Sequence, residues 1–229
     1  MTELVKSCLS VICDFVLNKN IALSEENPDG RVNSSINEEI VKHYIKECVE
    51  TTDFFRNNEI TFVNGKARFW YDCALIKDTE LLAPINIKIT RLSNTSADNV
   101  SSKEGLAYAL TGINPESASM NTWEKFNKVL ERTNCSLDSD YYFIIVNKDN
   151  TSEVFFNSLK CINKLVSNGN NLPFQCNWSD NKTLIEDRSN KDSIKYLLAI
   201  YNESNEKKMA AAKKSVETVS SILSSLDEN

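Results

Sequence analysis

The segment from Tyr71 to Thr90 constrains this chain more than any other. It carries two aliphatic runs joined by a polar turn, with few polar residues inside the runs. Leu81 to Thr90 is apolar except at Asn86, Lys88 and the terminal Thr90. Strand side chains alternate, so those three share one face. A buried strand would keep that face apolar, so an amide and an ammonium group there need a partner or a task. A turn centred near Asp78 and Thr79 sets residue i opposite roughly 158 minus i in antiparallel pairing. Asp72 then falls across from Asn86, and an acid, an amide and a lysine meet in one small patch.

Length and composition bound what that patch can belong to. A chain of 229 residues, 41% apolar and 25% charged, suffices for one sizeable domain, and residues 1–229 read as one. Seven cysteines without a C-x-x-C pair predict buried free thiols in a reducing compartment and argue against zinc. A single histidine, His43, removes Ser-His-Asp and Cys-His catalysis, and five glycines without a phosphate-loop motif remove that cradle too. Glu3 and Lys6 interrupt the early apolar pattern, so no signal peptide is expected. With no apolar run of membrane-spanning length, the chain is expected to be soluble, cytoplasmic and free of membrane contact. The net charge of −6 counts against a protein that coats nucleic acid, though a cleft needs positive charge only where a duplex lies.

Along the chain, the spacing of Leu4, Cys8, Leu9, Ile12 and Val16 predicts a helix over 3–18, and that of Ile36, Ile40, Tyr44, Ile45 and Cys48 a second over about 35–50. Between them, 27–30 read as a turn. Residues 54–62 read as a connection with a short strand near 60–63. After the hairpin, Arg91 to Lys103 is rich in hydroxyls and amides. A helix capped by Asn121 or Ser119 follows, with Trp123, Phe126 and Leu130 on one face. Strands are predicted at 141–146, 154–156 and 172–178, and a helix from about 190 to 226 whose later apolar positions have heptad spacing. The order helix, hairpin, helix, strand suits an α/β fold with a mixed sheet flanked by helices.

Asp72 followed by Asn86-Ile87-Lys88 resembles the active-site hairpin of the PD-(D/E)XK nucleases. The run Ile85 to Thr90, then Ala97 to Val100 and Tyr108 to Gly112, resembles a group of type II restriction endonucleases, as does the 172–178 strand followed by Arg188-Ser189 and a long helix. The resemblance implies a PD-(D/E)XK core over about 30–180 and a magnesium-dependent, homodimeric enzyme of a restriction-modification system. Such an enzyme cuts double-stranded DNA at a short palindrome, leaving 5′-phosphate and 3′-hydroxyl ends. It also implies roles. Asp72, Asn86 and a helical glutamate hold Mg2+, and Lys88 serves the attacking water. The apolar spacing after Glu39 selects that residue over Glu38, although acids in a first helical turn also simply complement the helix dipole. Asn94, Ser96, Asp98, Asn99 and Lys103 are expected near the major groove, with Gln175 and Asn177 beside them.

Asn86 departs from the family pattern, which has an acid there. Three explanations stand at this level: a natural variant relying on Asp72 and Glu39, a substitution made to stop cleavage, or a sequence-specific binder that does not cut. A nuclease of the same superfamily acting on repair or recombination structures is a further alternative.

Overall fold

The computed structural model describes residues 1–25, 30–66, 69–93, 97–116, 120, 122–170 and 172–227, the side chains of 30–32 and 227 excepted. The chain opens with α1 (Glu3–Leu17), whose first turn is closed by the Thr2 hydroxyl accepting from the Val5 N–H. Then come α2 (Gly30–Thr51), the short α3 (Asp53–Asn57), and three strands, β1 (Ile60–Asn64), β2 (Cys73–Lys77) and β3 (Glu80–Thr90). The two-residue strand β4 (Asp98–Asn99), α4 (Lys103–Thr111) and α5 (Trp123–Arg132) lead to β5 (Tyr142–Asn147) and β6 (Val154–Ser158). Two short strands, β7 (Val166–Ser167) and β8 (Phe174–Cys176), precede α6 (Asn190–Asp227). This is an α/β fold with a mixed central sheet, flanking helices and a long C-terminal helix.

The five-stranded sheet has the order β1-β2-β3-β5-β6, with β3 and β5 parallel and the other neighbours antiparallel. A second, three-stranded sheet runs β4-β8-β7. One face of the main sheet, with Cys73, Leu75, Ala83, Ile85, Ile87, Tyr142 and Ile144, packs on α1 and α2 to form a first core. The other face, with Phe143 and Ile145, meets Phe174, Cys176, Trp178 and the buried part of α6 in a second core.

The hairpin turns at Asp78 and Thr79, both at positive φ (51° and 67°), as the two-residue turn that matches strand twist requires. Such a turn alone pairs Lys77 with Glu80 and Ile76 with Leu81, a register in which Asp72 would face Ile85. A bulge between Leu75 and Ile76 passes over Leu82, so that Leu75 pairs with Ala83 and Cys73 with Ile85. Continued by one residue, this sets Asp72 across from Asn86.

Several expectations required correction. The predicted loop before Phe62 contains α3. α4 was not anticipated, because its residues Gly105–Thr111 are all buried and a helix apolar on every side shows no 3.6-residue stripe. It starts at the Ser102 cap, accepting from the Gly105 N–H, and stops at Gly112, at φ 72°. The cap of α5 is Thr122, not Asn121 or Ser119, both of which lie outside the described residues, as do 27–29 of the expected turn. The 172–178 strand ends at Cys176, and Asn177 instead caps a 3-10 turn over Trp178–Asn181.

Candidate functional site

Three backbone contacts fix Asp72. Its N–H donates to Ile85 O at 2.9 Å, its carbonyl accepts from the Gly65 N–H at 2.9 Å, and its carboxylate Oδ2 accepts from the Ile87 N–H at 2.6 Å. The last contact clasps the acid to β3 midway between Asn86 and Lys88. Gly65 is required for this closeness: a Cβ there would lie 2.2 Å from Tyr71 O and 2.8 Å from Asp72 O.

Asn86 and Lys88 point from β3 toward the second core, in register with Phe143 and Ile145 of β5. The Asn86 Oδ1 is buried and has no hydrogen-bond partner. Its amide acts as a side-chain hydrogen bond on the Tyr141 hydroxyl, which itself donates to Trp70 O at 2.5 Å. With that hydroxyl proton committed to Trp70, the Asn86 NH2 is the complementary group toward Tyr141, which leaves the amide oxygen buried and without a partner. Tyr141 is held in turn by α4, since a Cβ on Gly105 would stand 3.0 Å from its ring.

The charges around this patch act on one another. Burial pushes the Asp72 carboxyl above its usual range, while the Ile87 N–H, Lys88 and Lys42 pull it back. Burial and then the Asp72 charge push Glu38 up as well. Burial pulls the half-buried Lys88 down, against the opposing charges of Asp72, Asp98 and Glu38. Two desolvated carboxylates and an orphaned amide oxygen therefore border one lysine, and a cation among these oxygens would relieve the strain on both acids.

Of the two helical acids, Glu38 is half-buried and coupled to Asp72 and Lys88, while the expected Glu39 is exposed. Glu39 is paired with Lys42 on the surface, its side chain 65% exposed against 11% for Lys42. Its charge is felt at Asp72, whereas Glu38 is coupled to both Asp72 and Lys88. Asn37 is the reason. Its side chain is buried, with Oδ1 accepting from the Ser24 N–H at 2.7 Å and Nδ2 donating to Ser24 O at 3.1 Å. The inner stripe of α2 thus runs through Asn33, Asn37, Val41, Ile45 and Cys48, and Ile36, expected inside, is exposed. Measured from Val41 and Ile45, Glu38 is the acid one turn ahead, with Lys42 one turn behind it. A polar residue on the inner stripe hid that spacing. Lys42, Tyr141 and Trp70 were likewise not singled out in the sequence.

The polar positions expected to face a ligand divide. Asp98 lies beside Lys88 and Cys176, within reach of the patch. Asn99 pairs in register with Gln175, and its Oδ1 accepts from Gln175 Nε2 at 3.3 Å and from Asn168 Nδ2 at 3.4 Å, making an exposed cluster of amides on the small sheet. Lys103 begins α4 and lies 3.3 Å from Glu104. The Asn177 Oδ1 is engaged in its cap, accepting from the Ser179 N–H at 3.0 Å and the Ser179 hydroxyl at 2.9 Å. Asn94 and Ser96 lie outside the described residues.

All seven cysteines are free, and burial pushes Cys73 and Cys176 above their usual range, which leaves them inert beside the patch. Among the described residues no three His, Cys, Asp or Glu side chains converge on a metal, and no helix is long and apolar enough to cross a membrane. No known protein-family model matches this chain, and no curated protein is significantly similar to it.

Proposed function

We propose that the protein is a magnesium-dependent, site-specific endonuclease of double-stranded DNA on a PD-(D/E)XK-type core. The observation that carries this reading is the hairpin: Asp72 clasped to the Ile87 N–H, with the unpartnered Asn86 oxygen and the Lys88 ammonium on the same face. The parallel β3-β5 pair reached through α4 and α5, and the helical acid Glu38, agree with the same core.

The donor set suits magnesium, which takes hard oxygen ligands and favours one or two carboxylates with the remainder left to water and phosphate. Asp72 and the Asn86 oxygen would hold it, with Glu38 near enough in charge to reach it through water. When bound, the ion supplies charge stabilisation for the phosphoryl oxygens and acidifies a coordinated water. The chain's own residues do the rest. Lys88, half-buried and partly desolvated, holds the attacking water or the phosphate by direct charge, and the Ile87 N–H keeps the Asp72 carboxylate from rotating away. The amide cluster of Asn99, Asn168 and Gln175 offers the donor and acceptor edges that read bases, and adenine is the base such side chains meet in a bidentate way.

A mixed-sequence plasmid incubated with the protein and Mg2+ should give discrete fragments carrying 5′-phosphates. Intact DNA with both the native protein and an Asn86→Asp variant would overturn the proposal.

One observation favours a second reading. Asn86 brings no charge, so the patch has fewer anionic ligands than the family pattern it resembles, and a protein that binds a DNA sequence without cutting is the consequence. A sequence-selective mobility shift that persists with magnesium and leaves the DNA whole distinguishes it.

A further inference from the structure

A cleft of about 480 Å³ opens at the turn end of the hairpin, and none of Asp72, Asn86 and Lys88 lines it. Its walls are the start of α1, the β2-β3 turn, the end of α4 and the residues that lead into β5. Sites for small molecules span roughly 300–1,000 Å³, so the volume suits a small ligand.

The first clue to that ligand is charge. Asp78, Glu80, Asp138 and Asp140 line the cleft against one ammonium group, that of Lys77. Lys77 is engaged elsewhere: its Nζ donates to Asn58 O at 2.7 Å and stands 3.9 Å from Asp78. Lys160 acts on Asp140 from behind the wall, but its Nζ is occupied by the Ser136 and Ser139 carbonyls at 2.8 and 2.6 Å. Among the described residues Glu80, Asp138 and Asp140 form no ion pair. Burial pushes the Asp140 carboxyl up, while the Ser158 hydroxyl, Lys160 and two backbone N–H groups pull it back. A further cation in the cleft would add to that pull.

The second clue is a hydroxyl. Tyr142 is 2% exposed, its ring belongs to the first core, and it lines the cleft. Among the described residues its hydroxyl has no hydrogen-bond partner, yet it is not sealed from solvent as the orphaned Trp70 and Trp178 N–H groups are. The cleft is where it opens. Burial pushes this phenol and that of Tyr108 beside it up, so both stay protonated and neutral. The Tyr108 hydroxyl donates to Leu81 O at 3.3 Å, whereas that of Tyr142 keeps its lone pairs and its proton for whatever enters.

We propose that this cleft binds a small aliphatic amine carrying more than one ammonium group. The exposed Asp78, Glu80 and Asp138 meet one charge at the rim, and the buried Asp140 another at the floor. The Tyr142 hydroxyl accepts from an N–H, and Val5, Leu81 and Leu82 pack on the methylenes between the charges. A bare metal ion fits less well, because among the described residues no three carboxylates converge. The binding does not rest on the nuclease reading and holds or fails by itself.

Calorimetric titration of the full chain with 1,4-diaminobutane tests it, at about 0.15 M salt so that loose surface attraction is screened. Saturable one-to-one binding is expected, with a melting temperature that rises with diamine concentration and no binding of butane-1,4-diol. Tyr142→Phe should weaken the diamine about fivefold or more and leave the free protein melting at the same temperature or higher, since the lost hydroxyl has no partner in the fold. Glu80→Gln, at the exposed rim, should weaken it about threefold or more. Absence of saturable binding, equal binding of the diol, full affinity in Tyr142→Phe, or a lower melting temperature of that variant without ligand would each overturn the proposal.

Discussion

At the scale of single residues, chemistry in this patch depends on which oxygen is turned inward. The Tyr141 hydroxyl gives its proton to Trp70 O, and the Asn86 amide, resting on that hydroxyl, keeps its oxygen buried and without a partner. Tyr141→Phe removes the hydroxyl but not the ring that packs under Gly105, so the fold should stand while the amide loses its orientation. In the cleavage assay we expect a higher magnesium requirement and a rate lower by about tenfold, with DNA affinity unchanged. Glu38 and Glu39 make a paired test. Glu38→Gln should cut the rate by about 10²-fold or more, and Glu39→Gln, which removes an exposed carboxylate whose charge is the smallest of those felt at Asp72, by less than about twofold. Equal effects would return the two acids to the same standing.

Asp72 gives a test of opposite sign for stability. A carboxyl whose folded-state pKa is raised binds its proton more tightly in the folded chain than in the unfolded one, so its ionised form at neutral pH costs stability. Asp72→Asn keeps an oxygen for the Ile87 N–H and removes that charge. The variant should be inactive, yet melt at the same temperature or higher without metal at neutral pH, by about 1 kcal/mol. The gain should fade as pH falls through the raised carboxyl pKa, where the native Asp72 is itself neutral. Thermal melts of both proteins from neutral to acid pH would show it.

At the scale of elements, the hairpin could be read from the sequence because its parity is written in side-chain polarity. Asn86, Lys88 and Thr90 announce a face, and Asp78-Thr79 announces a turn. The rest was hidden for identifiable reasons. α4 is buried on all sides and has no stripe. β4 and β7 have two residues each, too few for alternation to show. α2 carries Asn37 on its inner face, a polar residue satisfied by Ser24, and so its apolar spacing pointed to the more exposed of the two glutamates. Gly65 shows what an element must give up to hold a site. Gly65→Ala would drive a methyl group into the carbonyls of Tyr71 and Asp72, parting the strand at the point where the acid is held. We expect a loss of about 1–3 kcal/mol in chemical denaturation and a larger proportional loss of cleavage.

At the scale of the whole molecule, the net charge of −6 limits how much of any DNA affinity comes from nonspecific attraction. Binding to a preferred sequence should therefore fall with added salt less steeply than for a basic protein making many phosphate contacts. A log–log plot of affinity against salt would measure this; a slope as steep as about −10 would contradict it. The single residue passed over at the β2-β3 bulge also matters at this scale. It assigns Cys73, Leu75, Ile85 and Ile87 to one core and leaves Asp72, Asn86 and Lys88 for the other side. Were the same ribbon to zip up regularly from its turn, Asp72 would face inward against α1 and α2 and Leu75 would change sides. Folding itself therefore proofreads the geometry of the patch: a molecule that gets this count wrong cannot close its interior, and any copy stable enough to persist already has its acid on the face of Asn86 and Lys88.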